Sequence, residues 1–144
     1  SLKGNPRERK LLIMDDLMTT LSQDKNLVDL YTRDCHHENI SCVFITQNLF
    51  YKGLRDSRLS CQCIVLMKSP GDKVGIQNLA KQLYPGISDF FLKAYEDATE
   101  KPYSYLIVDI SMETPENMRL RTNIFRSESR FPVIYTPTHI KKYK

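Results

Sequence analysis

Short apolar segments alternate with segments of helical periodicity along most of this chain. Strands are predicted where apolar and β-branched residues follow one another without a break; these segments are 11–14, 40–46, 61–67 and 105–110. Helices are predicted where apolar residues recur every three or four positions; these segments are 17–33, 72–83 and 87–97. Uninterrupted apolar strands between helices are typical of α/β proteins whose sheet is buried on both faces. We therefore expect a mostly parallel sheet flanked by helices.

The C-terminal part of the chain has a different pattern. Residues 119–125 alternate charged or polar residues with apolar ones, which predicts a half-exposed strand at the edge of the sheet. Pro132 and Pro137 then predict an irregular tail.

Composition places the chain among ordinary globular proteins. Its 144 residues suffice for one domain with a core, and 41% are hydrophobic and 26% charged. No apolar stretch is long enough to span a bilayer, and residues 1–10 are too polar for a signal peptide. The four cysteines, without a secretion signal, favour a reducing intracellular compartment.

Positive charge is concentrated at the C-terminal end. From Arg119 onward there are seven Lys or Arg against one acid, Glu128, which is a net charge of +6 in a chain whose total is +4. Such a segment fits a polyanionic partner such as nucleic acid, but it is also common in solvated tails.

Polar side chains follow two successive predicted strands. Asp15 and Asp16 come directly after segment 11–14, and Thr46, Gln47 and Asn48 end the next strand. If these strands are parallel neighbours, their polar ends meet at one edge of the sheet, where ligands of α/β proteins bind. Two adjacent carboxylates repel each other unless a cation lies nearby, which points to the Mg²⁺ of a nucleotide triphosphate. The alternative is structural: Asp16 would cap the next helix and Gln47 the segment after it.

A phosphate-cleaving site assigns a role to each of these groups. One carboxylate holds the metal, a second positions the attacking water, and an amide orients the γ-phosphate; Asp15, Asp16 and Gln47 are the candidates in that order. A glycine-rich loop ending in Gly-Lys-Ser/Thr is also needed, but none of the five glycines precedes such a pair. We therefore expect either the distal part of a longer enzyme or a protein that does not cleave nucleotide triphosphates.

Several segments resemble the C-terminal half of viral genome-packaging ATPases, which belong to the FtsK/HerA-like branch of P-loop NTPases. They are LLIMDD, HHENISCVFITQNLF, RLSCQCIVLMKSPGDK, LAKQLYPG and PYSYLIVDI. The likeness covers about residues 8–126 and is greatest to the packaging ATPases of poxvirus-type viruses and of Polinton (Maverick) transposons. It implies a P-loop NTPase-like (ASCE) fold without the Walker A strand and loop. Residues 1–126 would be the C-terminal part of the ATPase domain, and residues 127–144 a basic tail.

The resemblance also implies cofactors and further site residues. ATP and Mg²⁺ would bind at the Walker B pair, with Asp15 on the metal, Asp16 orienting water and Gln47 as the sensor. Many relatives carry Asp-Glu where this chain has Asp15-Asp16. Arg58 falls where related motors carry an arginine that reaches into a neighbouring subunit's site; Arg55 and Arg33 compete for that role.

The function implied by the resemblance is ATP-driven packaging of double-stranded DNA into capsids. The partners would be double-stranded DNA, a homo-oligomeric ring of this protein and a capsid or portal vertex protein, without a membrane. The location would be the host cytoplasm or nucleus where virions assemble, or the virion itself. In this fold the phosphate-loop strand lies between strands 40–46 and 61–67, so we expect a fragment that is poorly stable alone.

Two alternatives remain open from the sequence. One is a metal-dependent nuclease of ribonuclease H-like fold, in which Asp15, Asp16 and Asp109 would hold two metal ions. The other is a non-catalytic remnant with an assembly role.

Overall fold

The computed structural model describes residues 9–15, 39–48, 50 and 61–137. The chain divides into two units, Ser1–Ser60 and Cys61–Lys144. The described elements include both α-helices and β-strands, so the predicted α/β class is correct at this level.

The first unit contains two parallel strands. Strand β1 spans Lys10–Asp15 and strand β2 spans Ile40–Ile45. They pair in register from Lys10 opposite Ile40 to Asp15 opposite Ile45. Both strand predictions are therefore confirmed. Asn39 immediately precedes β2 with a positive φ of 53°, a conformation that asparagine tolerates better than most residues, and its carbonyl accepts a hydrogen bond from Lys10 N at 3.2 Å.

The expectation that these strands are buried on both faces is wrong. Side chains alternate between the two faces of a sheet, and only one face of this pair is covered, at Met14 and Ile40. The apolar residues of the other face are 44–64% exposed; they are Leu11, Ile13, Val43 and Ile45. An unbroken apolar run thus does not distinguish a strand covered on both faces from one covered on a single face.

The second unit begins with a strand, a turn and two helices. Strand β3 spans Cys63–Met67, helix α1 spans Lys73–Leu83 and helix α2 spans Ser88–Ala98. The side chain of Asp72 caps α1 by accepting a hydrogen bond from Gly75 N at 3.0 Å. A Cβ atom at residue 75 would lie 2.3–2.6 Å from that carboxylate, so glycine allows the cap to form. These helices confirm the prediction from periodicity within about one residue at each end.

The sheet of the second unit is antiparallel. Strand β4 spans Tyr105–Asp109, β5 spans Leu120–Thr122 and β6 spans Val133–Tyr135, and the order is β3-β4-β5-β6. The expectation of a mostly parallel sheet is therefore wrong for the described strands. A single crossover helix returns the chain to the end at which a strand began. Two helices connect β3 to β4, so the chain re-enters the sheet from the opposite end and β4 runs antiparallel to β3.

Two predictions for the C-terminal part are also wrong. Strand β5 is not at the edge, because it lies between β4 and β6 with Leu120 and Thr122 buried. The segment expected to be irregular contains β6. The hydroxyl of Tyr135 in this strand donates a hydrogen bond to Asp97 Oδ2 on α2 at 2.5 Å. Pro132 and Pro137 lie outside the strand, so neither removes a hydrogen bond from the ladder.

The core of the second unit lies between the helices and one face of this sheet. The fully buried side chains belong to both layers; they are Leu79, Phe91, Leu106, Val108 and Leu120. Within the described part of the chain, no helix has the length and hydropathy needed to cross a membrane.

Candidate functional site

The polar residues after β1 and β2 lie at the same edge of the two-stranded sheet. Asp15 is the last residue of β1 and is opposite Ile45, the last residue of β2. Because the strands are parallel, Asp15 and the segment that starts at Thr46 both follow the carboxyl ends, where α/β sheets bind ligands.

Asp15 is accessible to a ligand at this edge. It is exposed and belongs to the same face as Leu11 and Ile13. Among the described residues, no hydrogen bond or ion pair engages its carboxylate. A free carboxylate of this kind suits Mg²⁺, which keeps several waters and takes one or two protein carboxylates together with phosphate oxygens.

Side-chain hydrogen bonds fix the loop that follows β2. Thr46 Oγ1 accepts a hydrogen bond from Asn48 N at 3.2 Å and donates to Asn48 O at 3.1 Å. Asn48 Oδ1 in turn accepts from Phe50 N at 2.9 Å. Thr46 and Asn48 therefore hold the backbone, and the capping role considered for Gln47 belongs to Asn48. Gln47 lies exposed between them, and its side chain takes part in none of these bonds.

The remaining candidates are not all placed. Asp16 and Arg58, together with Arg55 and Arg33, lie outside the described residues. The structure thus brings Asp15 and Gln47 to one edge, and the positions of the water-orienting and trans-acting groups stay predictions. Across the described ranges, no group of three or more His, Cys, Asp or Glu side chains is arranged to hold a metal ion.

Asp109 has a structural environment at the end of β4. Its Oδ1 accepts hydrogen bonds from Ser111 N at 3.1 Å and Ser111 Oγ at 2.7 Å, and its Oδ2 lies 2.5 Å from Arg121 Nη2. Partial burial opposes ionisation, but the hydrogen bonds and the guanidinium outweigh it and lower the pKa of Asp109. Because protein donors already hold both oxygens, Asp109 is a poor ligand for the metal pair of a nuclease.

The polar cluster around Asp109 was not predicted from the sequence. Arg121 makes the ion pair, yet its Nε is buried and has no hydrogen-bond partner in the described structure. Arg119 Nη1 donates to the carbonyls of Asp109 and Ser111 at 3.1 and 2.9 Å. Cys63, opposite Asp109 on β3, has a raised pKa because of burial and the nearby carboxylate, so its thiol is a weak nucleophile at neutral pH. The alternating Arg119-Leu120-Arg121 pattern was the sequence signal for this cluster. It predicts a strand that carries arginines, which can pair with a carboxylate at the end of a neighbouring strand.

A cavity of about 510 Å³ lies beside the loop that follows β3. Its lining includes the lysines Lys68 and Lys73 and the acids Glu96 and Glu100. The hydroxyl of Tyr95, also in the lining, accepts from Ser69 N at 3.0 Å and donates to Met67 O at 3.1 Å. Charges of both signs surround the opening, so it favours no single class of ligand.

Among the described residues, the edge formed by Asp15 and Gln47 therefore presents an exposed carboxylate and an exposed amide after the carboxyl ends of two parallel strands. No protein-family model, curated protein or solved structure matches this chain.

Proposed function

We propose that this chain carries the Walker B and sensor half of a P-loop ATPase that packages double-stranded DNA into viral or virus-like capsids. One observation supports it above the others: β1 and β2 are parallel neighbours, with Asp15 and Gln47 at their shared carboxyl edge. The sequence likeness to packaging ATPases supports the choice of reaction, and the P-loop NTPase-like fold belongs to the same proposal.

The donors at this edge fit magnesium. The carboxylate of Asp15 is a hard oxygen ligand of the kind that Mg²⁺ prefers. Bound Mg²⁺ would neutralise charge that develops on the phosphates. Asp15 would hold the ion, while Gln47 would contact an oxygen of the terminal phosphate.

Asp16 and Arg58 would act on the attacking water and on the negative charge that develops on the phosphates. Asp16 would accept a hydrogen bond from the attacking water and orient it in line with the bond that breaks. Arg58 would extend from one subunit to the phosphates bound by its neighbour, which makes hydrolysis depend on a closed ring. Since no Gly-Lys-Ser/Thr occurs in the chain, the proposal requires another stretch of polypeptide to supply the phosphate loop.

The test is to introduce Asp16→Asn into the full-length polypeptide and to measure ATP binding and ATP turnover separately. ATP affinity should change less than about threefold, whereas kcat should fall by at least about a hundredfold, because orientation of the water is lost but the metal carboxylate stays. Asp89→Asn is the matched control, since Asp89 is an exposed acid on α2. Unchanged turnover in Asp16→Asn would refute the assignment.

Gln47→Ala tests the sensor in the same assay. We expect kcat to fall by about ten- to a hundredfold, since a contact that strengthens in the transition state is removed. Gln82→Ala, an exposed amide on α1, serves as the control. Equal activity of the two variants would show that Gln47 has no part in the reaction.

A further inference from the structure

The loop that connects β5 to β6, residues 123–132, exposes two aromatic rings beside two arginines. Phe125 is 58% exposed and Phe131 is 68% exposed, while Arg126 and Arg130 are exposed next to them. Large apolar rings that cluster on a surface commonly mark a binding site. We call residues 123–132 the β5–β6 loop.

The β5–β6 loop is held in a defined conformation by Glu128. The Glu128 Oε2 atom accepts hydrogen bonds from the hydroxyl of Tyr105 at 2.6 Å and from Phe125 N at 3.2 Å. Glu128 N donates to Phe125 O at 3.0 Å, which closes a turn. The phenyl ring of Phe125 packs edge-on against Tyr105, with 6.5 Å between ring centroids. The ring of Phe125 is thus presented by an ordered turn.

The loop carries a net positive charge, from two arginines and one glutamate. The single acid, Glu128, is exposed, and its Oε2 atom accepts the hydrogen bonds from Tyr105 and from Phe125 N. Neither Arg126 nor Arg130 forms an ion pair within residues 61–137. Arg130 Cζ instead lies 5.4 Å from the centroid of the Phe131 ring. The loop therefore offers two guanidinium groups available to an anion, next to two flat apolar surfaces.

Nucleic acid has the chemistry that matches this combination. Its phosphates accept paired hydrogen bonds from guanidinium groups, and its bases stack on aromatic rings or are separated by apolar side chains inserted between base steps. We infer that the β5–β6 loop binds DNA, with Arg126 and Arg130 on backbone phosphates and Phe125 and Phe131 against the bases. The choice of DNA over an anionic lipid surface rests on the proposed function.

Fluorescence anisotropy with the full chain and no nucleotide tests the inference. The probes are a labelled duplex of about 30 base pairs and the single strand of the same sequence, titrated between about 50 and 200 mM KCl. Arg126→Gln with Arg130→Gln should reduce the slope of log K against log salt by about 1.8 on the duplex, because each lost phosphate contact removes about 0.9. Lys81→Gln with Lys93→Gln makes the same change of charge at exposed sites on α1 and α2 and should leave the slope unchanged.

The aromatic rings give a second, independent readout. Phe125→Ala with Phe131→Ala should weaken single-strand binding at least about fivefold and leave the salt slope unchanged, since stacking releases no counterions. Circular dichroism of each variant checks that the fold is retained.

Three results would overturn the inference. One is an equal loss of slope in the arginine and lysine pairs, which would show diffuse attraction to the whole surface. Another is binding to vesicles that contain phosphatidylserine through Phe125 and Phe131 without binding to DNA. The third is that ATP turnover depends on Asp16 while the arginine and phenylalanine variants bind DNA as well as the native protein. This result would refute the inference about the loop and leave the proposed function standing.

Discussion

The ion pair between Asp109 and Arg121 should contribute measurably to the stability of the second unit. In Asp109→Asn the amide oxygen can still accept the two hydrogen bonds from Ser111, but the amide nitrogen would face the Arg121 guanidinium. Arg121 already has one buried nitrogen without a partner, so the variant would leave a second donor unpaired. The cationic group would then be partly buried without its counter-ion.

The expected loss is about 2–3 kcal/mol of unfolding free energy. Breaking a fully buried ion pair by removing one partner costs about 3–5 kcal/mol, but the side chains of Arg121 and Asp109 here retain 28% and 15% exposure, so solvent screens part of the interaction. For a unit of this size, such a loss lowers Tm by roughly 8–24 °C.

Urea titration followed by circular dichroism measures the difference in unfolding free energy between the native protein and Asp109→Asn. This difference should depend on pH in a defined way. The pKa of Asp109 in the folded protein is below the usual 3.8. A lowered pKa means that the stabilisation is complete above the pKa of the unfolded chain and is lost as the pH falls through the folded pKa. The gap between the native protein and Asp109→Asn should therefore be constant from pH 7 to about pH 5 and shrink below about pH 4.

Glu113→Gln is the matched control, because Glu113 is an exposed acid in the turn that follows β4; it should change stability by less than about 0.5 kcal/mol. The reasoning fails if Asp109→Asn is as stable as Glu113→Gln, or if the gap between the native protein and Asp109→Asn is independent of pH.

Two further stability predictions concern the C-terminal strand and the core. Tyr135→Phe should cost about 1 kcal/mol, because it removes the hydrogen bond to Asp97. Burial and that carboxylate raise the pKa of Tyr135, so urea titrations should show the cost below pH 10 and its disappearance at higher pH; equal stability of the two proteins at pH 7 would contradict this. Leu106→Ala should cost about 2–5 kcal/mol, since Leu106 is fully buried, whereas Val65→Ala at a 57% exposed position should cost under about 1 kcal/mol. Similar Tm values for these two variants would show that the sheet is covered on both faces.

The candidate site was predictable only where it depended on local pattern. An apolar run that ends in Asp15 and a strand that ends before Gln47 are both readable from the chain, and a parallel pair brings such ends together. The sequence could not show that Asn48 rather than Gln47 caps the segment after β2, since both are amides with similar turn preferences and only the hydrogen bond from Phe50 N distinguishes them. Likewise, nothing local distinguished Asp109 as a partner of Arg121 from Asp109 as a metal ligand.

The sequence by itself determined the bounds of β1, β2 and the two helices, which end within about one or two residues of the predicted positions. The helix predicted over 17–33 lies outside the described residues. Hydrophobic periodicity and helix capping involve residues only a few positions apart, so both can be recognised in the amino-acid sequence. Tertiary structure alone decided strand direction, the interior place of β5, the presence of β6 and which apolar faces stay exposed. Those properties depend on hydrogen bonds and packing between residues far apart in sequence, such as Cys63 with Asp109, and no local pattern specifies which distant strand a segment will meet.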